Sequence, residues 1–189
     1  PQGVLYGRNV TGGAVLVGTQ APTDRAEAAV RIAAEGRARG GRSFITEAAL
    51  SGAVTETLAG RLALYRNDDS GYFRNRFDGR DHGALEQRAA RLSLRWTPLS
   101  SASLLLQYER GDLDGDGPAV QSHENGAGVP GSPLSFDRDS LDFSIDEPGY
   151  QHVDYDFLTL SIDADTAYGQ WTNIFGVRDQ SSEAMSDID

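Results

Sequence analysis

The chain has no cysteine, so a disulfide framework, thiolate-bound zinc and thiol chemistry are all excluded. No apolar run approaches the ~18 residues that a membrane helix requires. Neither a start methionine nor a signal peptide opens the sequence at Pro1, and the chain reads as a portion of something longer. It also lacks a basic balance: the formal net charge is −11, which speaks against nucleic acid as a partner. Apolar residues are sparse at 39%, as in disordered acidic chains, but the strong patterning of the middle of the sequence argues against disorder. No segment carries a convincing 3.6-residue period. Hydropathy alone would suggest a soluble protein. Barrel strands escape that test, because each needs only about 9–11 residues with alternate positions polar.

What is present is alternation. Ala26–Ala34 is alanine-rich, yet Ala28, Val30, Ile32 and Ala34 fall on one face, against Glu27, Arg31 and Glu35 on the other. That spacing predicts a strand. The same period predicts strands over Ser43–Val54, Leu58–Asp68, Glu86–Thr97, Ala102–Arg110, Asp154–Ala164 and Tyr168–Asp179. Glu86–Thr97 is the clearest, with Ala90, Leu92, Leu94 and Trp96 opposite Arg91, Ser93, Arg95 and Thr97. The last is the least regular, because Ile174 falls opposite Trp171, Phe175 and Val177. The class is therefore all-β, with about seven antiparallel strands.

A soluble sandwich also alternates; the connections separate the two cases. Thr55–Thr57, Pro98–Ser101 and Asp165–Thr166 are short, whereas Arg37–Arg42, Asp69–Leu85 and Gly111–Val153 lengthen along the chain. Short turns at one end and long loops at the other is the layout of an outer-membrane barrel. Trp96, next to the Pro98 turn, suits an interfacial aromatic girdle or, alternatively, an inward core position.

The densest signal is the opening, PQGVLYGRNVTGGAV, from Pro1 to Val15. Four glycines in fifteen residues mark tight turns and close backbone approach. The wording resembles the end of the plug domain of TonB-dependent outer-membrane receptors. Pro1, Gln2, Gly3, Leu5, Tyr6, Gly7, Arg8, Asn9, Gly12, Gly13, Ala14 and Val15 all match that pattern. The resemblance implies residues 1–24 as the C-terminal part of a plug and its linker, and residues 25–189 as the first strands of a transmembrane β-barrel. It implies a structural or gating role for Gly3, Tyr6, Gly7, Arg8, Asn9, Gly12 and Gly13, with Arg8 fixing plug against barrel wall. Family barrels have about 22 strands, so about seven would be an incomplete portion with open edges.

For the family, the implied function is energy-coupled uptake of a bulky scarce nutrient across the outer membrane, such as a ferric siderophore, haem, cobalamin or an oligosaccharide. The implied partners are membrane lipid, a small-molecule or metal-chelate ligand, and the TonB energy-coupling complex through an N-terminal segment upstream of Pro1. No nucleic acid, resident cofactor or enzymatic step is expected.

Three features of the loops bear on ligands. Ser70–Asp81 mixes Tyr72, Phe73 and Phe77 with Arg74, Arg76 and Arg80. Aromatics beside guanidinium groups suit an anionic chelate, making Tyr72, Arg74, Arg76 and Phe77 the candidate substrate contacts. Asp112, Asp114 and Asp116, followed by Gly117, open like a calcium loop, although the twelfth position is His123 rather than glutamate. A solvated acidic turn is the alternative. His82, His123 and His152 all fall in expected outer loops or at a loop edge. Two rival readings are a passive porin-like barrel and a secreted soluble β-sandwich with binding loops.

Overall fold

The structure, a computed structural model, describes residues 18–37, 40–119 and 141–186. Seven long strands follow one another: β1 (Glu27–Gly36), β2 (Arg42–Ala53), β3 (Leu58–Asn75), β4 (Asp81–Leu99), β5 (Ala102–Gly115), β7 (Tyr150–Thr166) and β8 (Gly169–Met185). They form a single antiparallel meander in the order β1-β2-β3-β4-β5-β7-β8. A two-residue strand, β6 (Asp142–Phe143), lies parallel to β3. No helix occurs among the described residues.

The strands outrun the alternation. Most of the expected loop Asp69–Leu85 is sheet, because β3 continues to Asn75 and β4 begins at Asp81. Likewise β5 reaches Gly115 and β7 starts at Tyr150. Residues here are polar on both faces, as in Asp68, Asp69 and Ser70, so the period-2 signal vanishes while backbone pairing persists. The connections at one end, called lower below, are 54–57, 100–101 and 167–168; at the upper end they are 37–41, 76–80 and 116–149. The contrast in loop length is therefore carried by 116–149.

Register aligns the apolar residues. One rung runs Ala28, Leu50, Leu62, Leu92, Tyr108, Leu158 and Val177 across all seven strands. Side chains alternate along a strand, so every second residue from this rung shares its face. On each strand four successive positions of that face are free of charge. They span 28–34 on β1, 44–50 on β2, 58–64 on β3, 90–96 on β4, 102–108 on β5, 158–164 on β7 and 171–177 on β8. Thr46 and Asn173 are the polar exceptions. The stripe crosses the rungs obliquely. Its upper border stands six residues above the common rung on β1, at Ala34, and on the rung itself on β8, at Val177.

Nothing among the described residues covers this face. Leu50, Leu62, Leu92, Phe175 and Val177 are all exposed, and the buried apolar side chains among the described residues are few: Ala59, Phe143, Ile145 and Pro22. Trp96 and Trp171 both sit on the lower part of the stripe, about half exposed among the described residues. Ladder hydrogen bonds between neighbouring strands, rather than a conventional core, organise the sheet.

Candidate functional site

The opposite face is polar and internally bonded. Arg31 pairs with Glu47 across β1 and β2 at 3.1 Å. Arg91 pairs with Glu109, and the Tyr155 hydroxyl donates to the same carboxylate at 2.9 Å. The Arg178 guanidinium lies 5.9 Å from the Tyr155 ring centre.

The segment before β1 lies over this face. The Thr23 amide donates to the Ser51 hydroxyl of β2 at 2.9 Å. Asp24 pairs with Arg95 of β4, and Gln107 of β5 donates to the Thr19 hydroxyl at 3.1 Å. Ser51 and Ser93 of the face are buried. Traced backwards from β1, the chain therefore crosses toward β5 on the polar side. Sequence patterning offered no sign of this path beyond the connector at Pro22. The motif residues Gly3, Tyr6, Gly7, Arg8, Asn9, Gly12 and Gly13 lie outside the described residues.

At the upper end the β3–β4 hairpin carries the candidate substrate contacts, Tyr72 and Arg74 on the end of β3 and Arg76 and Phe77 in the turn that follows. A bulge between Ser70 and Phe73 bends the pair. Gly71 makes it possible: its φ is +71°, and a Cβ there would stand 2.3 Å from the His82 carbonyl oxygen. Arg37 forks onto Asp69 at 2.7 and 2.9 Å and lies 4.7 Å over the Tyr72 ring. Its two hydrogen bonds hold the Asp69 carboxyl below the usual carboxylate range. Arg74 pairs with Asp81 at 2.9 Å and Arg76 with Asp142 at 2.7 Å. Phe77 is exposed in the turn. The hairpin thus brings Tyr72, Arg74, Arg76 and Phe77 to one end of the sheet, with each named arginine already facing a carboxylate.

A strap from the long connection closes on this hairpin. The Arg74 and Arg76 amides donate to the Leu141 and Phe143 carbonyls at 2.9 and 2.8 Å. Asn75 is buried; its side chain donates to the Ile145 carbonyl at 2.9 Å and accepts from the Ile145 amide at 3.2 Å. Phe143 is 1% exposed and packs 5.0 Å from the His82 ring. Buried His82 leaves its Nε2 without a partner. Sequence reasoning missed this cluster, and nothing local in it signals a pairing that spans some seventy residues.

The acidic motif is extended, not curled. Asp112 and Asp114 lie on β5 and Asp116 follows it. Asp114 contacts His152, Asp116 accepts the Ala84 amide at 2.8 Å, and Asp112 Oδ2 is buried without a partner. Among the described residues no three His, Asp or Glu side chains converge as a metal site. His82 and His152 stand on β4 and β7 rather than in loops, and His123 lies outside the described residues.

No protein-family model matches this chain, and no curated protein or solved structure matches it either.

Proposed function

We propose that this chain is a portion of a membrane-spanning β-barrel of the TonB-dependent receptor kind, serving energy-coupled uptake of a bulky nutrient such as a ferric chelate. The carrying observation is the oblique stripe. Its upper border shifts by six residues over the six steps from β1 to β8, an average of one residue per strand, with four of the six taken between β2 and β3. With ~3.3 Å per residue and ~4.8 Å between strands, that slope corresponds to roughly 35° between strand and membrane normal. Membrane barrels tilt their strands by about 35–45°. A stripe drawn by a flat membrane across tilted strands has this slope.

Four outward positions per strand give a band roughly 20 Å tall at that tilt. Exposed Val54, Leu99 and Tyr168 extend it at the lower turns, toward the ~25 Å of outer-membrane barrels. The segment before β1 favours a plugged receptor over an open porin, because it lies on the face that would line the lumen. A soluble sandwich would need a second layer over the stripe, and the described residues form one sheet.

Both tryptophans, Trp96 and Trp171, lie near the lower border of the stripe. In vesicles of brominated phosphatidylcholine their fluorescence should be quenched, more by bromine near the headgroup than by bromine at the chain end. Emission indifferent to bromine would sink the membrane reading. Uptake assays with ferric chelates and oligosaccharides then test transport.

A further inference from the structure

The upper border of the stripe carries a pattern that alternation does not require. On four neighbouring strands the first residue of the uncharged face above the border is arginine: Arg42 above Phe44, Arg66 above Leu64, Arg88 above Ala90 and Arg110 above Tyr108. All four are exposed. The chain contains no lysine, so each of its 17 basic residues is arginine.

Two of the four face each other directly, since Arg66 pairs in register with Arg88. Like charges directly opposite destabilise a sheet. Glu86 partly offsets this by bonding both, at 3.0 Å from Arg66, and Asp68 holds Arg66 at 2.8 Å. These bonds use Nε and Nη2 of each guanidinium. Nη1 of each stays available, on side chains 54% and 53% exposed. Asp112 opposite Arg88 and Asp156 opposite Arg110 in the rungs complete the belt.

We propose that Arg42, Arg66, Arg88 and Arg110 bind the phosphate groups of lipids whose acyl chains lie on the stripe. The inference rests on the membrane reading. Phosphate matches the guanidinium fork, which donates two parallel hydrogen bonds to its oxygens; Arg88 keeps Nη1 and one Nη2 hydrogen for this, whereas Arg66, whose Nη2 already donates to both Asp68 and Glu86, offers Nη1 alone. The row lies where headgroups meet the hydrocarbon border, and long arginine stems reach along apolar surface while keeping the charge outside it. The carboxylates of Asp68 and Glu86 orient the guanidinium planes of Arg66 and Arg88 and leave Nη1 of each to the lipid. The row ends at β5, because Asp156 and Asp179 hold the same border positions on β7 and β8. Anionic lipid is therefore held on the β2–β5 side.

The test reconstitutes the intact protein, R66Q/R88Q/R110Q and R66K/R88K/R110K into phosphatidylcholine vesicles with and without phosphatidylglycerol. Lipid retained on the protein is then counted by native mass spectrometry. The wild type should retain phosphatidylglycerol over phosphatidylcholine by on the order of fivefold per arginine engaged. The glutamine variant should fall toward parity, and the lysine variant, with charge but no fork, should lie between. Equal retention by wild type and glutamine variant would overturn the proposal while leaving the membrane reading intact. Failure of the wild type to enter either vesicle would overturn both. Inorganic phosphate bound by the row equally well without lipid would overturn the assignment to a headgroup.

Discussion

Asn75 shows how much one side chain can organise here. It is the buried amide that joins β3 to the strap, with both its oxygen and its nitrogen engaged by Ile145. Asn75→Ala would leave the Ile145 amide and carbonyl buried and unpaired, a loss of about 1–3 kcal/mol. The expected result is faster hydrogen exchange at the Arg74 and Arg76 amides, which donate to the strap, with the amides of 58–69 unchanged. Unaltered exchange at Arg74 and Arg76 would show that the strap does not depend on Asn75. None of this was legible from sequence. An asparagine between two arginines reads as a polar loop residue, and only pairing at long range makes it structural.

Strands were the most legible scale. The expected spans of β1, β2 and β5 begin within one residue of the observed ones, because one face is apolar throughout and a strand with that pattern has a single favourable register. Legibility failed where both faces turn polar, in the upper parts of β3, β4, β5 and β7. Tyr72 and Arg74 thus lie on β3 where the sequence predicts a loop, while Arg76 and Phe77 do fall in a turn. The two faces should also respond differently to charge. Leu160 and Ser161 are neighbours on β7 but point to opposite faces, Leu160 in the middle of the stripe. Leu160→Arg should cost roughly 2–4 kcal/mol in a lipid-embedded strand, and Ser161→Arg within about 0.5 kcal/mol as a polar-face substitution. Urea unfolding in lipid vesicles would measure the difference, and equal losses would contradict the assignment of faces.

For the whole molecule, the informative quantity is the angle between stripe and rungs. It cannot be read from sequence, since it depends on how each turn sets the register of the next strand. Loop length was the sequence-level guide to a barrel, and it proved weaker than register, because two of the three upper connections are short. If the membrane reading holds, polarised infrared spectroscopy of oriented bilayers should give a mean strand tilt of about 35–45°. Strands parallel to the normal, or randomly oriented, would contradict it. The outer edges of β1 and β8 have no partner among the described residues, and such edges invite pairing with further strands.

The path of residues 18–25 has a mechanical meaning. Their ties to the sheet, at Thr19 on Gln107 and at Thr23 and Asp24 on Ser51 and Arg95, follow one another along the chain. A pull from the Gly18 side would load them one after another, not together, so the segment would peel at low force. The ladder of ten residue pairs that binds β1 to β2 would resist far more strongly. Under tension this end of the protein would lengthen by at most about 3 nm before the sheet bore any load.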